Sequence, residues 1–310
     1  MKSMERQQGG FVRAGAAVLL WSTIACAYKL SLQALSPLPL LCWSATVSFV
    51  LLFLLCIRTR GLSVFRSCSR RDLAASALLG FLNPFLYYLL LLEAYTRLLA
   101  QTALALNYTW PLFMALLAVP LLGQRLHMKG LAALLLSFLG VLVIVSRGQT
   151  VGLRLQDPAG ILLAVGSALC WALYWLLNMR DPREVPDKLC LNFLFGAGYA
   201  WMVALLKGEI LFPNPAGIAG AAWLGIFEMG LTFLLWLRAL ETTGKAALVG
   251  NLAYLVPFLA LIPLRFVLGE RLLASTFWGL GLIVAGILLQ GSARPAGDLR
   301  LRRRRPPAER

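Results

Sequence analysis

The sequence predicts an all-α integral membrane protein with ten transmembrane helices, arranged as two inverted five-helix repeats. The 310 residues are 60% hydrophobic and only 14% charged, and their mean hydropathy is +0.77. Uncharged runs of membrane-spanning length recur along the chain, and the second half repeats residues of the first in one register. A soluble domain carries about 25% charged residues. Lipid is therefore the expected solvent for most of the chain, and a large soluble catalytic domain is excluded.

The ten spans are read from the uncharged runs, since about 20 apolar helical residues cross a hydrocarbon layer of roughly 30 Å. Helices are required because backbone groups in lipid must pair within their own segment. The runs are 14–28 (continuing past Lys29), 38–57, 73–92, 98–122, 130–146, 159–179, 189–206, 217–237 (interrupted by Glu228), 246–264 and 272–293. The predicted organisation is an N-terminal segment 1–13, a first repeat 14–146, an external linker 147–157, a second repeat 158–293 and a basic tail 294–310.

The basic residues predict the orientation. Of the 29 Lys and Arg residues, 22 lie in one set of alternating gaps and 6 in the other, while Lys29 lies in the first span. Because cytoplasmic loops carry the excess of positive charge, both termini are expected in the cytoplasm, in a bacterial inner membrane. The segment Ala25-Cys26-Ala27 also imitates a signal-peptide cleavage site, but cleavage there would break the repeat. The run Arg302–Arg305 is interpreted as orientation-setting, with a lipid-binding or nucleic-acid-binding patch as the alternative.

The internal repeat is found by shifting the chain by 146 residues. Shared apolar composition would produce scattered leucine matches, but it would not align Tyr, Pro, Gly and Arg in one register. The aligned pairs are Tyr108 with Tyr254, Pro111 with Pro257, Arg125 with Arg271 and Gly140 with Gly286. Because each repeat holds an odd number of helices, the two copies cross the membrane in opposite directions. Inverted repeats are typical of secondary transporters, which bind substrate near the midplane.

Several motifs resemble those of a known family. They are Asn107-Tyr-Thr-Trp-Pro111, the segments 121–126, 235–240 and 268–272, and Trp21 followed by Lys29. Between residue 14 and about residue 290 the chain resembles the EamA-type branch of the drug/metabolite transporter superfamily. The resemblance implies a basket-shaped bundle of five plus five helices. It also implies movement of small metabolites, often the export of amino acids or related compounds.

Polar residues inside the predicted spans are the first candidates for a binding site. Glu228 lies about eleven residues into the eighth span, hence near the midplane, where an acid costs roughly 2.5–3.5 kcal/mol. It is interpreted as a proton-coupling group or the partner of a substrate ammonium, or else as a neutral carboxyl bonded to a neighbouring helix. Asn83 lies in the third span at the same depth as Glu228. It is interpreted either as the counterpart of Glu228 across the pseudo-two-fold axis or as a residue that hydrogen-bonds to a neighbouring helix. Lys29 would snorkel outward, or face the cavity with a substrate carboxylate or Glu93 as its partner.

Two prolines and a group of aromatic residues complete the candidate set. Pro111 and Pro257 stand mid-span, where each would free the carbonyl four residues earlier or only kink its helix. Asn107 adds a side-chain amide in the same turn. The aromatic rings would either hold a flat or cationic substrate or simply pack. The aromatic candidates are Trp21, Tyr87, Trp110, Trp171, Tyr174 and Tyr254.

The functional prediction is a secondary transporter, expected to export small metabolites such as amino acids by alternating access, with proton coupling through Glu228 as a sub-hypothesis. A passive channel or a lipid or drug flippase is the alternative. A membrane-embedded enzyme is less favoured, because His127 is the single histidine and loop carboxylates are few. No cofactor or metal is expected, and the six cysteines are interpreted as free thiols. The expected partners are a small-molecule substrate and membrane lipids, without nucleic acid, in a monomer or homodimer.

Overall fold

The computed structural model describes residues 2–61, 68–122, 128–146, 157–209, 212–243 and 252–292, and within these ranges the chain is helical and contains no strand. The helices of the first half are α1 (Lys2–Ser31), α2 (Pro37–Arg60), α3 (Arg70–Gly80), a π-helical segment (Phe81–Leu86), α4 (Tyr87–Arg97), α5 (Ala100–Asn107), α6 (Trp110–Leu122) and α7 (Met128–Ser146). Those of the second half are α8 (Pro158–Asn178), α9 (Val185–Lys207), α10 (Pro215–Trp223), a π-helical segment (Leu224–Thr232), α11 (Phe233–Thr243), a 3₁₀ turn (Ala253–Leu255), α12 (Val256–Phe266) and α13 (Ala274–Ser292).

Seven helical segments of the described chain are long and apolar enough to cross a membrane, and the protein is therefore a multi-pass membrane protein. They are 8–31, 37–59, 70–97, 100–121, 158–178, 185–207 and 215–236. Three shorter apolar helices cover 128–144, 253–266 and 274–289. The first predicted span is longer than its uncharged run, because α1 continues in both directions beyond 14–28.

Local signals in the sequence explain where several helices begin. Proline, whose missing N–H is not needed in a first turn, opens α2, α8 and α10. The Asp157 carboxylate accepts a hydrogen bond from the Gly160 N–H (2.8 Å) at the start of α8. The Asn214 side chain does the same for the Gly217 N–H (2.8 Å) at the start of α10. Such caps pair N–H groups that a helix leaves unsatisfied.

Three helical segments are interrupted near the centre of the molecule. Asn83 has extended backbone angles (φ −150°, ψ 120°) inside the first π-helical segment. Tyr108 and Thr109 form a turn between α5 and α6, and the 3₁₀ turn precedes α12. Pro111 and Pro257 therefore lie in the first turn of a helix that follows a break, and not within a continuous kinked helix as the sequence suggested. Fixed φ and a missing N–H suit proline to that position.

Helices α7 and α13 pack against each other through glycine. Gly140 faces the Gly279 carbonyl and Ile283, whereas Gly286 faces the Ala133 carbonyl and Ser137. Contacts later in α7 meet positions earlier in α13, so the two helices are antiparallel. The contacts are also reciprocal, because a shift of 146 converts one set into the other. These small residues are thus used within the chain to bring two helices close together.

The other helices form two comparable packing groups around a common core. Helix α1 packs against α11 and α12, and α8 packs against α4 and α6. Helix α2 packs against α9 and the second π-helical segment, while α9 also packs against α3 and the first π-helical segment. The largest buried apolar cluster joins α1, α2, α4, α5, α8 and α9.

A largely buried ion pair lies in the connection between α8 and α9. Arg183 Nη2 lies 2.5 Å from Asp181 Oδ2 and 2.8 Å from the Ser76 hydroxyl of α3, and the exposed fractions of the paired side chains are only 13% and 6%. Burial raises the pKa of Asp181, but the hydrogen bonds and charge of Arg183 outweigh it and hold that pKa below its usual 3.8.

We expect Arg183→Gln to lower the free energy of unfolding by roughly 1.5–3 kcal/mol, because it leaves a buried carboxylate without its charged donor. Since the folded pKa of Asp181 is depressed, this stabilisation is present above about pH 4 and is lost as the pH falls through that pKa. Thermal unfolding of the wild-type protein and of the Arg183→Gln variant between pH 8 and pH 3 measures this stabilisation. The difference in melting temperature between the wild-type protein and Arg183→Gln should stay constant down to about pH 5 and then become smaller. The control Arg58→Gln, which changes an exposed arginine, should melt at the wild-type temperature.

Candidate functional site

A pocket with a volume of about 80 Å³ lies where the interrupted helices meet α1 and α8. Its wall combines one carboxyl group, one amide and several aromatic rings. The lining residues are Trp21, Ile24, Tyr28, Tyr87, Leu91, Tyr95, Leu104, Asn107, Tyr108, Trp110, Trp171, Glu228, Ala253 and Val256. Because α1, α4, α5, α8, the second π-helical segment and α12 all contribute, both halves of the chain build the pocket.

Glu228 is the acidic residue of this wall, and it is only 5% exposed. The hydroxyl of Tyr28 donates a short hydrogen bond to Oε2, and the hydroxyl of Tyr88 donates to Oε1 at 3.1 Å. The carboxyl group is thus held by two phenols from α1 and α4. A carboxylate offers about four lone-pair positions, so two acceptor positions remain for a ligand.

Asn107 lies at the end of α5 and links three elements. Its Oδ1 accepts a hydrogen bond from the Tyr87 hydroxyl (3.4 Å), and its Nδ2 donates to the Ser167 hydroxyl on α8 (2.9 Å). Ser167 in turn donates to the Ala164 carbonyl (2.7 Å). The amide is therefore fixed in orientation, and both of its polar atoms already have a protein partner.

Aromatic rings form the rest of the wall in contact with one another. The Tyr87 and Trp171 rings lie 4.5 Å apart between centroids with an interplanar angle of 33°, and Tyr28 lies 4.9 Å from Tyr95. Trp21 lies 5.2 Å from Trp236 of α11. Such mutual packing holds the rings in fixed orientations around the pocket.

The structure brings together six of the candidates that the sequence indicated. They are Trp21, Tyr87, Asn107, Trp110, Trp171 and Glu228. Pro111 and Pro257 are buried and follow the lining residues Trp110 and Val256 in the chain, but they do not line the pocket themselves. Tyr254 packs instead beside the cluster of α6, α7 and α13 that contains Ile144 and Ile283.

Lys29 does not line this pocket, contrary to one sequence-based interpretation. Its Nζ donates to the Leu98 carbonyl (2.7 Å), in the turn between α4 and α5. That carbonyl lies at the end of α4, where helical carbonyls lack intrahelical partners. In the structure this carbonyl, and not Glu93, is therefore the hydrogen-bond acceptor for the ammonium.

Asn83 and Tyr174 also lie outside the described pocket wall. Both are buried, and Tyr174 faces Asn83 and Asn192, without a hydrogen bond of good geometry between them. The extended backbone at Asn83 places this residue beside α8 and α9, which pack on its segment. Asn83 is therefore not the partner of Glu228 across the pocket.

Tyr28 is the residue that the sequence reasoning missed. A signal was present, because Trp21, Ile24 and Tyr28 follow the i, i+3, i+7 spacing of one helix face, and all three line the pocket. Tyr88, which was not among the aromatic candidates, is the second donor to Glu228. Among the described residues, no group of three or more His, Cys, Asp or Glu side chains could hold a metal ion.

The sequence profile of the EamA-like transporter family matches residues 10–146 and again residues 158–291. The chain belongs to the EamA-like transporter family. Homologues of this EamA-like protein carry transporter names, which points to transport and not to enzymatic activity.

Two relatives of this EamA-like chain are named as exporters. The aromatic amino acid exporter YddG of Ancylobacter novellus is 29% identical, over 79% of this chain and 83% of that protein. The threonine/homoserine exporter RhtA of Escherichia coli K12 is 31% identical over 59% of each protein. A protein crystal structure with 24% sequence identity matches 92% of this chain and 96% of its own, with a TM-score of 0.62. That likeness concerns the fold alone.

Proposed function

We propose that this protein is a bacterial inner-membrane secondary transporter that exports a small amino compound, an amino acid or a related metabolite, by alternating access. The observation that carries the proposal is Glu228, a buried carboxyl group held by two phenols in the wall of an aromatic pocket. An ionisable residue at this depth is costly and is typically retained for substrate or proton binding. The exporter names of YddG and RhtA agree with the direction and the substrate class.

Ten spans in two inverted repeats are part of this proposal. The antiparallel, reciprocal contacts of α7 and α13 support it, because equivalent helices of inverted copies must run in opposite directions. The double match of the family profile supports it as well. The two π-helical segments, 81–86 and 224–232, also overlap after the shift of 146.

The contacts around Glu270 suggest which side of the pocket is closed. Its carboxylate accepts hydrogen bonds from the Ala100 N–H (2.8 Å) and the Gln101 N–H (3.3 Å) at the start of α5. Gln101 in turn donates to the Arg271 carbonyl (2.8 Å) and accepts from the Leu273 N–H (2.9 Å). The connection between α12 and α13 is thereby fixed to α5. In the proposed topology this is the external face, so the structure corresponds to an externally closed state.

We expect Glu270→Ala to open the external face more often, because it removes the acceptor at the start of α5. Losing such a cap costs about 1 kcal/mol, which corresponds to roughly a fivefold to tenfold change in the open population. The measurement is the labelling rate of Leu104→Cys in the pocket by a membrane-impermeant thiol reagent added outside, in a background without native cysteines. Glu93→Ala is the matched control. An unchanged rate for Glu270→Ala would contradict an external closing contact.

Transport itself is tested with purified protein in proteoliposomes. A secondary transporter should exchange labelled amino compound against unlabelled compound on the other side, and a proton gradient should drive accumulation. Flux that runs only down the substrate gradient, with no exchange, would favour the channel. Movement of labelled lipid between leaflets would favour the flippase. Light scattering of the detergent-purified protein tests the oligomeric state, for which we propose a monomer because α7 and α13 use their glycines internally.

A further inference from the structure

We infer that the pocket selects a monocationic amine joined to a flat ring, in preference to the amino acid with the same ring. The inference rests on the proposed function and narrows its substrate class. Three properties of the pocket wall carry it: the charges it contains, the free hydrogen-bonding positions it offers, and the shape of its aromatic part.

The described wall of the pocket contains an acidic residue and no basic one. Of the lining residues that the structure describes, Glu228 is the ionisable acid and none is Lys, Arg or His. The cation nearest along α1, Lys29, donates instead to the Leu98 carbonyl at 2.7 Å. A ligand ammonium therefore meets an opposite charge here, whereas a ligand carboxylate meets a like charge and no counter-charge. A charge buried without a partner is strongly disfavoured.

The carboxyl group of Glu228 offers free acceptor positions to a ligand. The phenols of Tyr28 and Tyr88 use two of the four lone-pair positions of Glu228 and leave the others open. An ammonium supplies three donors, which match those positions. On the donor side, Asn107 Nδ2 uses one of its two N–H groups to donate to Ser167 at 2.9 Å. The hydroxyl of Tyr87 is likewise directed to Asn107 Oδ1.

The aromatic part of the wall adds attraction for a ring and for positive charge. Tyr87 and Trp171 lie with centroids 4.5 Å apart, and Trp21 and Trp110 also line the pocket. Ring faces carry negative potential, which attracts an ammonium and repels a carboxylate. The same rings stack with a planar substrate. An aromatic amine satisfies the acid and the rings together, while the corresponding amino acid adds a carboxylate that meets no basic residue in the described wall.

Four compounds that share an indole ring separate these contributions. Tryptamine carries the amine alone, tryptophan methyl ester carries the amine with a masked carboxyl group, tryptophan carries both groups, and indole-3-propionate carries the acid alone. Isothermal titration calorimetry on the full chain in lipid nanodiscs measures the affinities. We expect tryptamine and the ester to bind at least about tenfold more tightly than tryptophan, and indole-3-propionate to show no binding. Glu228→Gln should remove that preference, whereas Glu184→Gln, at an exposed residue, should preserve it.

Equal affinity for tryptophan and tryptamine, binding of indole-3-propionate, or binding of none of the four would overturn the inference. Flux of the same compounds and of unlabelled amino acids in proteoliposomes then distinguishes a failure of the amine preference from a failure of the proposed transporter function. Export of amino acids without tryptamine binding would refute the amine preference and leave the transporter role standing. Tryptamine binding without flux of any compound would support the pocket assignment and refute transport.

Discussion

Glu228→Gln is expected to reduce exchange of the transported amino compound by roughly 30-fold or more and to abolish its dependence on a proton gradient. The variant keeps the side-chain volume and the acceptor oxygen that faces one phenol, but it loses the negative charge in the wall of the pocket. Removing one partner of a buried, hydrogen-bonded charge pair costs about 2–5 kcal/mol. Proteoliposome exchange, measured with and without an imposed pH gradient, gives both quantities.

The phenol variants determine how the carboxyl group acts. Tyr88→Phe removes one donor to Glu228 and leaves the charge in place, so a smaller reduction, about threefold to tenfold for one hydrogen bond, is expected. Glu184→Gln serves as the control for loss of an exposed carboxylate. A Glu228→Gln protein that still exchanges substrate with an unchanged pH dependence would show that this acid takes no part in coupling.

Gly279→Ala is expected to cause a clear loss of stability. A Cβ at this position would lie 2.6 Å from the Gly140 carbonyl oxygen and closer still to Ile144. Overpacking of this kind costs about 1–3 kcal/mol, and the carbonyl cannot move without displacing α7. The melting temperature of the detergent-purified protein should fall by several degrees, since 1 kcal/mol corresponds to about 2–4 °C in a protein of 150–250 residues.

Gly281 in the same helix provides a matched control. A Cβ there would meet nothing within 4 Å, so Gly281→Ala should be neutral or should raise the melting temperature slightly, because Ala favours a helix over Gly. Similar melting temperatures for the Gly279 and Gly281 variants would mean that the close approach of α7 and α13 is absent. Because the contact is reciprocal, Gly140→Ala and Gly286→Ala are expected to destabilise the protein to a similar extent.

Composition and span length predicted most of the fold. The helical membrane architecture follows from apolar runs of 17–25 residues, since a backbone in lipid has no other way to satisfy its polar groups. The family was also recognisable, because its motifs lie in continuous stretches such as 107–111. The position of Glu228 at the pocket was predicted for a related reason: the energetic cost of an acid at midplane depth leaves few structural alternatives.

The directions of individual side chains were harder to predict. Asn83 has the right depth, but the extended backbone at that residue and the packing of α8 and α9 on its segment place it with Asn192 and Tyr174. Lys29 follows the pocket residue Tyr28 by one position, which on a helix is a rotation of about 100°. Its carbonyl partner is formed by a turn 69 residues away. Both outcomes depend on tertiary contacts that no local pattern encodes.

The reciprocal seam between α7 and α13 has a consequence for the direction of transport. Because the two sides of this seam make equivalent contacts, the seam resists tilting of α7 and α13 equally toward either face of the membrane. On its own it therefore does not favour the externally open or the externally closed state. Any bias must come from places where the two copies differ. Position 270 is such a place: a carboxylate fixes α5 there, whereas a shift of 146 leads to the uncharged Gln124. For the proposed transporter, this single side-chain difference favours the externally closed state.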